Sequence, residues 1–130
     1  PADQWRSTVP DDGSVRIVEM LPRDGLQSLS SFVPTEEKIE LVERLAATGV
    51  DEVEMTAFAH PDAVPNLRDA EDVATGVDRR DDVTYRALVP NAVGMERALE
   101  GGVDKVNALD RKSTRLNSSH THLSRMPSSA

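Results

Sequence analysis

The sequence predicts an α/β protein built on a parallel sheet, and two patterns say so. Short segments rich in Val and other β-formers alternate with segments whose apolar residues recur at helical spacing. One punctuation recurs three times at the close of a helix: Thr48-Gly49-Val50-Asp51, Thr75-Gly76-Val77-Asp78 and Gly101-Gly102-Val103-Asp104. A junction used three times implies one βα unit used three times. Parallel strands need cover on both faces, so the sheet is either open and doubly wound or closed into a barrel.

Taken in order, Pro1 to Ser14 is polar, acidic and aperiodic, a mobile lead-in with no apolar centre of the signal-peptide kind. Val15, Ile17, Val18 and Met20 make Val15 to Met20 a first, buried strand. Leu21 to Pro34 is a long connection whose Pro22-Arg23-Asp24-Gly25 is a turn signal with two opposite charges at its tip. Thr35 is the expected N-cap of a helix, with Glu36 and Glu37 placed to favour its dipole. Ile39, Val42, Leu45 and Ala46 give that helix one apolar face, and Gly49 stops it.

The second strand is Glu52 to Ala57, with Glu52, Glu54 and Thr56 on one side and Val53, Met55 and Ala57 on the other. Phe58 to Asn66 is a loop with two prolines, and Leu67 to Ala74 a short helix ended near Gly76. Val83 to Val89 is the third strand, Ala92 to Glu100 the third helix, and Lys105 to Leu109 begins a fourth strand. The order breaks after Asp110. Arg111 to Ala130 is Ser-rich, without acid or apolar period, and reads as a disordered tail not evolved with the body. It resembles the translated sequencing-adapter tails of truncated gene predictions. The domains are therefore a lead-in over 1–14, one α/β body over 15–110 and the tail over 111–130.

Composition narrows the function classes. The chain has no Cys, which excludes disulfides, a thiolate zinc site and a Cys nucleophile within it. No apolar run approaches the roughly 18 residues of a membrane span. The formal charge is −8, and the body before the basic tail is more acidic still. Such a surface repels phosphate, so a nucleic-acid partner is not expected, and the excess acid serves solubility. A soluble, cytoplasmic protein follows, with neither membrane nor nucleic acid as partner.

The chemistry gathers where the first strand ends. Arg23 and Asp24 are either a solvated turn or a working pair. In the second reading Asp24 supplies a hard oxygen for Mg2+ or Mn2+, and Arg23 a fork of donors for a carbonyl or carboxylate oxygen. Glu54 is either half-exposed or, in a covered sheet, turned inward, where it needs a cation and Arg23 is the natural one. His120 and His122 have metal-ligand spacing for a strand but sit in the tail. His60 belongs to a loop at the pocket rim. No Gly-rich phosphate loop or nucleophile elbow is present.

With these residues in place, a resemblance emerges. Val18-Glu19-Met20-Leu21-Pro22-Arg23-Asp24-Gly25-Leu26-Gln27 resembles the first-strand motif of the hydroxymethylglutaryl-CoA lyases, in the DRE-TIM metallolyase superfamily. Val53-Glu54-Met55-Thr56-Ala57-Phe58 resembles their second strand, and Val64-Pro65 and Val89-Pro90-Asn91 fall where that pattern puts them. The likeness covers Val15 to Leu109. The P-R-D-G-L-Q form separates it from the superfamily's synthases, which carry L-R-D-G-x-Q after a Thr.

The resemblance implies a (β/α)8 TIM barrel that cleaves 3-hydroxy-3-methylglutaryl-CoA to acetyl-CoA and acetoacetate, with an acyl-CoA substrate and a homo-oligomeric parent. It implies Asp24 as a ligand of a divalent metal and Arg23 as the residue that binds substrate and stabilises the enolate oxygen. Glu54 would support Arg23, and Gln27 would stand beside the substrate. The family's other metal ligands, a His-x-His pair and an Asn, come from late strands, and its Cys from a late loop. His120 and His122 do not match them. A barrel takes roughly 250 residues, so the chain supplies about three and a half βα units and is expected to be inactive alone. A Claisen-type synthase and a non-catalytic α/β fragment remain the alternatives.

Overall fold

The computed structural model describes residues 13–109 and 120–124. Residues 1–12 of the expected lead-in over 1–14, residue 110, and 111–119 and 125–130 of the expected tail lie outside the described residues. The elements run β1 (Val18–Glu19), α1 (Thr35–Ala46), β2 (Glu52–Ala57), α2 (Ala70–Gly76), β3 (Thr84–Val89), α3 (Ala92–Gly101), β4 (Lys105–Leu109) and β5 (His120–Ser124). One turn of π-helix, Leu21–Gly25, follows β1, and a 3-10 turn, Pro65–Leu67, precedes α2.

Strands β1 to β4 lie side by side in chain order and are parallel. Helices α1, α2 and α3 pack against one another and against β2 and β3. A doubly wound sheet reverses its strand order and carries helices on both faces. This sheet does neither, so the described body is the arc of a βα barrel with its helices outside. The hydrophobic core lies between that sheet and the helices, around Val42, Val53, Met55, Phe58, Val73 and Tyr85.

The repeated Gly-Val-Asp junction has a physical meaning. Asp51 N donates to Ile17 O while Ile17 N donates to Asp51 Oδ2 at 2.7 Å. Asp104 N donates to Tyr85 O while Tyr85 N donates to Asp104 Oδ2 at 2.9 Å. Each Asp thus ties the start of its own strand to the preceding one, side chain and backbone together. Gly49 (φ +98°) and Gly102 (φ +70°) supply the left-handed turns that let the chain leave its helix for that junction. Asp78 departs from the pattern: its amide donates to Glu43 Oε2 at 2.8 Å, and five further residues precede β3.

Several expectations need correction or refinement. The first strand is Val18–Glu19 only, and Val15 and Ile17 are exposed, because β1 pairs with β2 over two residues alone. The turn expected at Pro22 to Gly25 is one turn of π-helix over Leu21–Gly25. Thr35 does not cap α1: Pro34 holds that position, and the Thr35 hydroxyl donates to Asp69 Oδ2 at 2.6 Å. Within the tail, His120–Ser124 is placed as a strand antiparallel to β4, in register from Leu109↔His120 to Lys105↔Ser124, and the rest of the tail lies outside the described residues. The outer edge of β4 offers unpaired backbone donors and acceptors, and pairing satisfies them.

Gly94, in the first turn of α3, faces the Phe58 carbonyl so closely that an added Cβ would collide with that oxygen. The oxygen belongs to backbone held by the Phe58 N–Leu88 O bond of 2.9 Å, so it cannot yield cheaply. Gly94→Ala is therefore expected to cost about 1–3 kcal/mol, as overpacking does, read as a lowered urea midpoint at unchanged m-value.

Candidate active site

The site grows from the turn after β1. Arg23 N and Asp24 N both donate to Met20 O, at 3.0 and 2.8 Å, which winds Leu21–Gly25 into the wide turn. Pro22 is buried within it. The turn sends the two neighbouring charges in different directions. Arg23 folds back over β2 and keeps 14% of its side chain exposed, while Asp24 stands 74% exposed at the rim.

Glu54, fully buried, receives Arg23. Arg23 Nε donates to Glu54 Oε2 at 2.7 Å, and Arg86 Nε, from β3, donates to Glu54 Oε1 at 3.1 Å. Each carboxylate oxygen thus has its own guanidinium. Arg23 Nη1 also donates to Gln27 Oε1 at 3.3 Å and to Asp24 Oδ1 at 3.4 Å. The four residues singled out from the sequence, Arg23, Asp24, Gln27 and Glu54, therefore meet in one place.

Others join them unannounced. Arg86 Nη1 continues to Glu52 Oε1 at 3.1 Å, and Glu52 Oε2 accepts from Lys105 Nζ at 2.8 Å and Arg16 Nη2 at 3.0 Å. Burial pushes the Glu52 carboxyl up, and hydrogen bonds from Lys105, Arg16 and Arg86 outweigh it, holding the group below its ordinary value of 4.5. Two buried carboxylates are thus shared by three guanidiniums and an ammonium. The sequence did carry a signal for Arg86: register puts it opposite Glu54, and inward-facing charges of opposite sign on adjacent strands seek each other.

Above this network lies a cavity of about 610 Å3, lined among others by Met20, Arg23, Gln27, Arg86, Leu88 and Asn107. Asn107 Oδ1 is buried there without a partner among the described residues. Strict alternation along β2 fails beside the cavity. A bulge pairs Glu54 with Arg86 but Thr56 with Ala87 and Ala57 with Leu88. Ala87 belongs to the core and Leu88 lines the cavity, so Ala57, not Thr56, shares the cavity face. The reading that placed Thr56 beside Glu54 and Ala57 opposite is overturned by that one extra residue.

Asp24 is a hard oxygen donor, exposed and only loosely held by Arg23, which suits a divalent cation. Among the described residues no three His, Asp or Glu side chains cluster to complete such a site. His60 Nδ1 accepts from Asp62 N at 3.0 Å and lines a separate cavity beside Arg97, as a loop residue at a rim. The His120-Thr121-His122 stretch is placed by its backbone on β5, opposite Leu109 to Asn107.

Parallel strands in chain order, with an Arg-Asp turn at the C-terminal end of the first, define a βα-barrel protein with its chemistry at the strands' carboxyl ends. The HMGL-like family model matches residues 14–127, and the chain belongs to that family. It is 50% identical over 97 residues to the hydroxymethylglutaryl-CoA lyase YngG of Bacillus subtilis, covering 75% of this chain and 32% of that protein. It is 45% identical over 92 residues to the 3-hydroxy-3-isohexenylglutaryl-CoA/hydroxy-methylglutaryl-CoA lyase of Pseudomonas aeruginosa, covering 71% of this chain and 31% of that one.

Among solved structures, the Bacillus subtilis HMG-CoA lyase superposes with a TM-score of 0.73 at 46% identity, over 80% of this chain and 36% of that one. An Acinetobacter baumannii HMG-CoA lyase in complex with coenzyme A and 3-methylmalate gives 0.71 at 41% identity, over 72% of this chain and 31% of that one. The chain spans about a third of the length of the curated relatives it matches.

Two outcomes follow from the network. Glu54→Gln leaves Arg23 and Arg86 facing a neutral amide, and about 3–5 kcal/mol of stability should go with the charge, measured by denaturant unfolding. Glu52, whose folded value lies below 4.5, stabilises the fold fully above that pH, and the stabilisation is lost as pH falls through the folded value. Glu52→Gln should therefore be weaker than the parent chain near neutrality and flatter in its acid limb, read from urea midpoints between about pH 6 and pH 3.

Proposed function

We propose that the protein to which this chain belongs is a divalent-metal-dependent carbon–carbon lyase that cleaves 3-hydroxy-3-methylglutaryl-CoA to acetyl-CoA and acetoacetate. The observation that carries this is the Arg23 guanidinium. Its Nε is fixed on a fully buried carboxylate, its Nη1 is shared between Asp24 and Gln27, and its Nη2 is without a partner among the described residues. A cation held so firmly at a cavity wall suits an oxygen whose negative charge grows during reaction. Family membership and the lyases named above point to the same chemistry.

In the reaction the bond between C2 and C3 of the acyl group breaks. Its electron pair passes to the thioester as an enolate, the tertiary hydroxyl gives up its proton, and the enolate carbon gains one. Arg23 holds the enolate oxygen. Glu54, through Nε, keeps Arg23 from turning away, and Arg86 balances the second oxygen of Glu54. Gln27 steadies Nη1 and reaches the cavity. Asp24 would hold Mg2+ or Mn2+, which when bound polarises the substrate oxygens. The excess of cations around Glu52 and Glu54 suits an anionic acyl-CoA, and a cytoplasmic homo-oligomer is the setting we propose. No helix among the described residues is long and apolar enough to cross a membrane.

The full-length protein should form acetoacetate from 3-hydroxy-3-methylglutaryl-CoA in a metal-dependent assay. Arg23→Lys should lower kcat by about 10²–10³ with little change in KM, since only the transition state loses its fork of donors. This chain by itself, with Asp24 the one metal ligand we assign, should bind Mg2+ weakly and yield no acetoacetate. Turnover of acetyl-CoA with a 2-oxo acid, and none of the lyase substrate, would replace this reading with a Claisen-type synthase.

A further inference from the structure

We infer that Asn66, in the 3-10 turn between β2 and α2, is a positioning residue for Arg23, a latch that holds the first loop in its working shape; this rests on the role given to Arg23 above. Asn66 Nδ2 donates to two carbonyls of the first loop, Leu29 O at 2.6 Å and Gln27 O at 3.1 Å. Gln27 is the residue whose side chain accepts from Arg23 Nη1. Its backbone is thus pinned by Asn66 while its carboxamide steadies the guanidinium.

Asn66 is itself anchored from behind. Its carbonyl accepts from Lys38 Nζ at 2.6 Å, and Lys38 is 3% exposed. The same ammonium donates to Asp69 Oδ1 at 2.6 Å and lies 4.2 Å from the Phe32 ring centroid. Asp69 Oδ2 accepts from Thr35, the residue freed from capping α1. The Arg68 guanidinium carbon also lies 3.7 Å from the Phe32 ring centroid. A buried ammonium with two short bonds to oxygen does not change partners cheaply. It therefore fixes the Asn66 backbone, and a fixed backbone directs the carboxamide at two carbonyls that would otherwise rely on water.

The backbone before that part of the first loop is tied by Leu26 N to Arg23 O and by Leu29 N to Leu26 O at 3.4 Å, and Pro34 O accepts from Glu37 N and Lys38 N after it. Asn66 adds the side-chain bonds across to Gln27 O and Leu29 O. The geometry of Arg23 accordingly depends on two anchors, Glu54 on its Nε and the Asn66 latch acting through Gln27. The second lies outside the cavity lining and touches no reacting group.

The test uses Asn66→Ala, which removes both donors, and Asn66→Gln, which restores a carboxamide one methylene further out. In the 15N-labelled chain the Arg23 Nε–H resonance reports its bond to Glu54, and the Arg97 Nε–H resonance, on the Glu71 ion pair, serves as control. Asn66→Ala should move the Arg23 signal and raise exchange of the loop amides about tenfold or more while Arg97 stays in place. Asn66→Gln should recover part of both. An unmoved Arg23 signal overturns the inference, and so does loss of both arginine signals together, which would mark Asn66 as a general stabiliser.

In the full-length protein, Asn66→Ala should cut lyase kcat by on the order of a hundredfold with KM for the acyl-CoA little changed. A loosened loop with unchanged kcat also overturns it. If the unaltered protein shows no lyase turnover, the reading under Proposed function fails, and the arginine resonances alone decide the role of Asn66.

Discussion

A carboxylate with no access to water sits between two guanidiniums, and the site depends on that arrangement. Removing Glu54 from solvent costs several kcal/mol unless both oxygens are matched. Arg23 and Arg86 match one each, from opposite sides. The obligation runs both ways. Because Glu54 cannot release Arg23 without standing unpaired, Arg23 loses its rotamer freedom during folding. What would be a mobile side chain on a surface turn becomes a fixed electrode at a cavity wall.

This explains why the turn after β1 takes its unusual form. An Arg at the end of a two-residue strand would project outward along the chain. The wide turn over Leu21–Gly25, closed by two amides on Met20 O, rotates Arg23 back over β2 and leaves Asp24 at the rim. Adjacent residues thus receive opposite environments, one nearly buried and one largely solvated. The roles proposed for them, a cation that must not wander and a carboxylate open to an arriving metal, need that division.

Much of this was legible beforehand, and the failures share a cause. The Arg23–Glu54 contact follows from the need of a buried carboxylate for a cation. The bounds of β2 and β4 and the presence of three helices follow from period and punctuation, which are local, although α2 begins at Ala70 and not at the expected Leu67. The length of β1, the capping of α1 and the facing of Thr56 do not, because each is decided by a partner distant in the chain. Val15 and Ile17 read as core, yet both side chains are exposed and the pairing of β1 with β2 begins only at Val18. Thr35 reads as a cap, yet Asp69 takes its hydroxyl. The bulge in β2 answers to the register of β3, which no window on β2 reveals. Arg86 was passed over because an Arg in a strand reads as solvent-facing until its neighbours are known.

The same network reaches the other end of the sheet. Arg86 spans from Glu54, beside the cavity, to Glu52, where Lys105 of β4 and Arg16 ahead of β1 converge. Near that lower end the Asp51 and Asp104 junctions tie the strand starts to one another. Barrels of this kind separate duties, with stability at the amino ends of the strands and chemistry at the carboxyl ends. Here one guanidinium joins the two. A shift of β4 would pull Lys105 from Glu52, change what Glu52 asks of Arg86, and so change what Arg86 leaves for Glu54 and Arg23. The position of the proposed reacting cation is therefore set in part from the amino ends of the strands, and the charges inside the arc act as one unit.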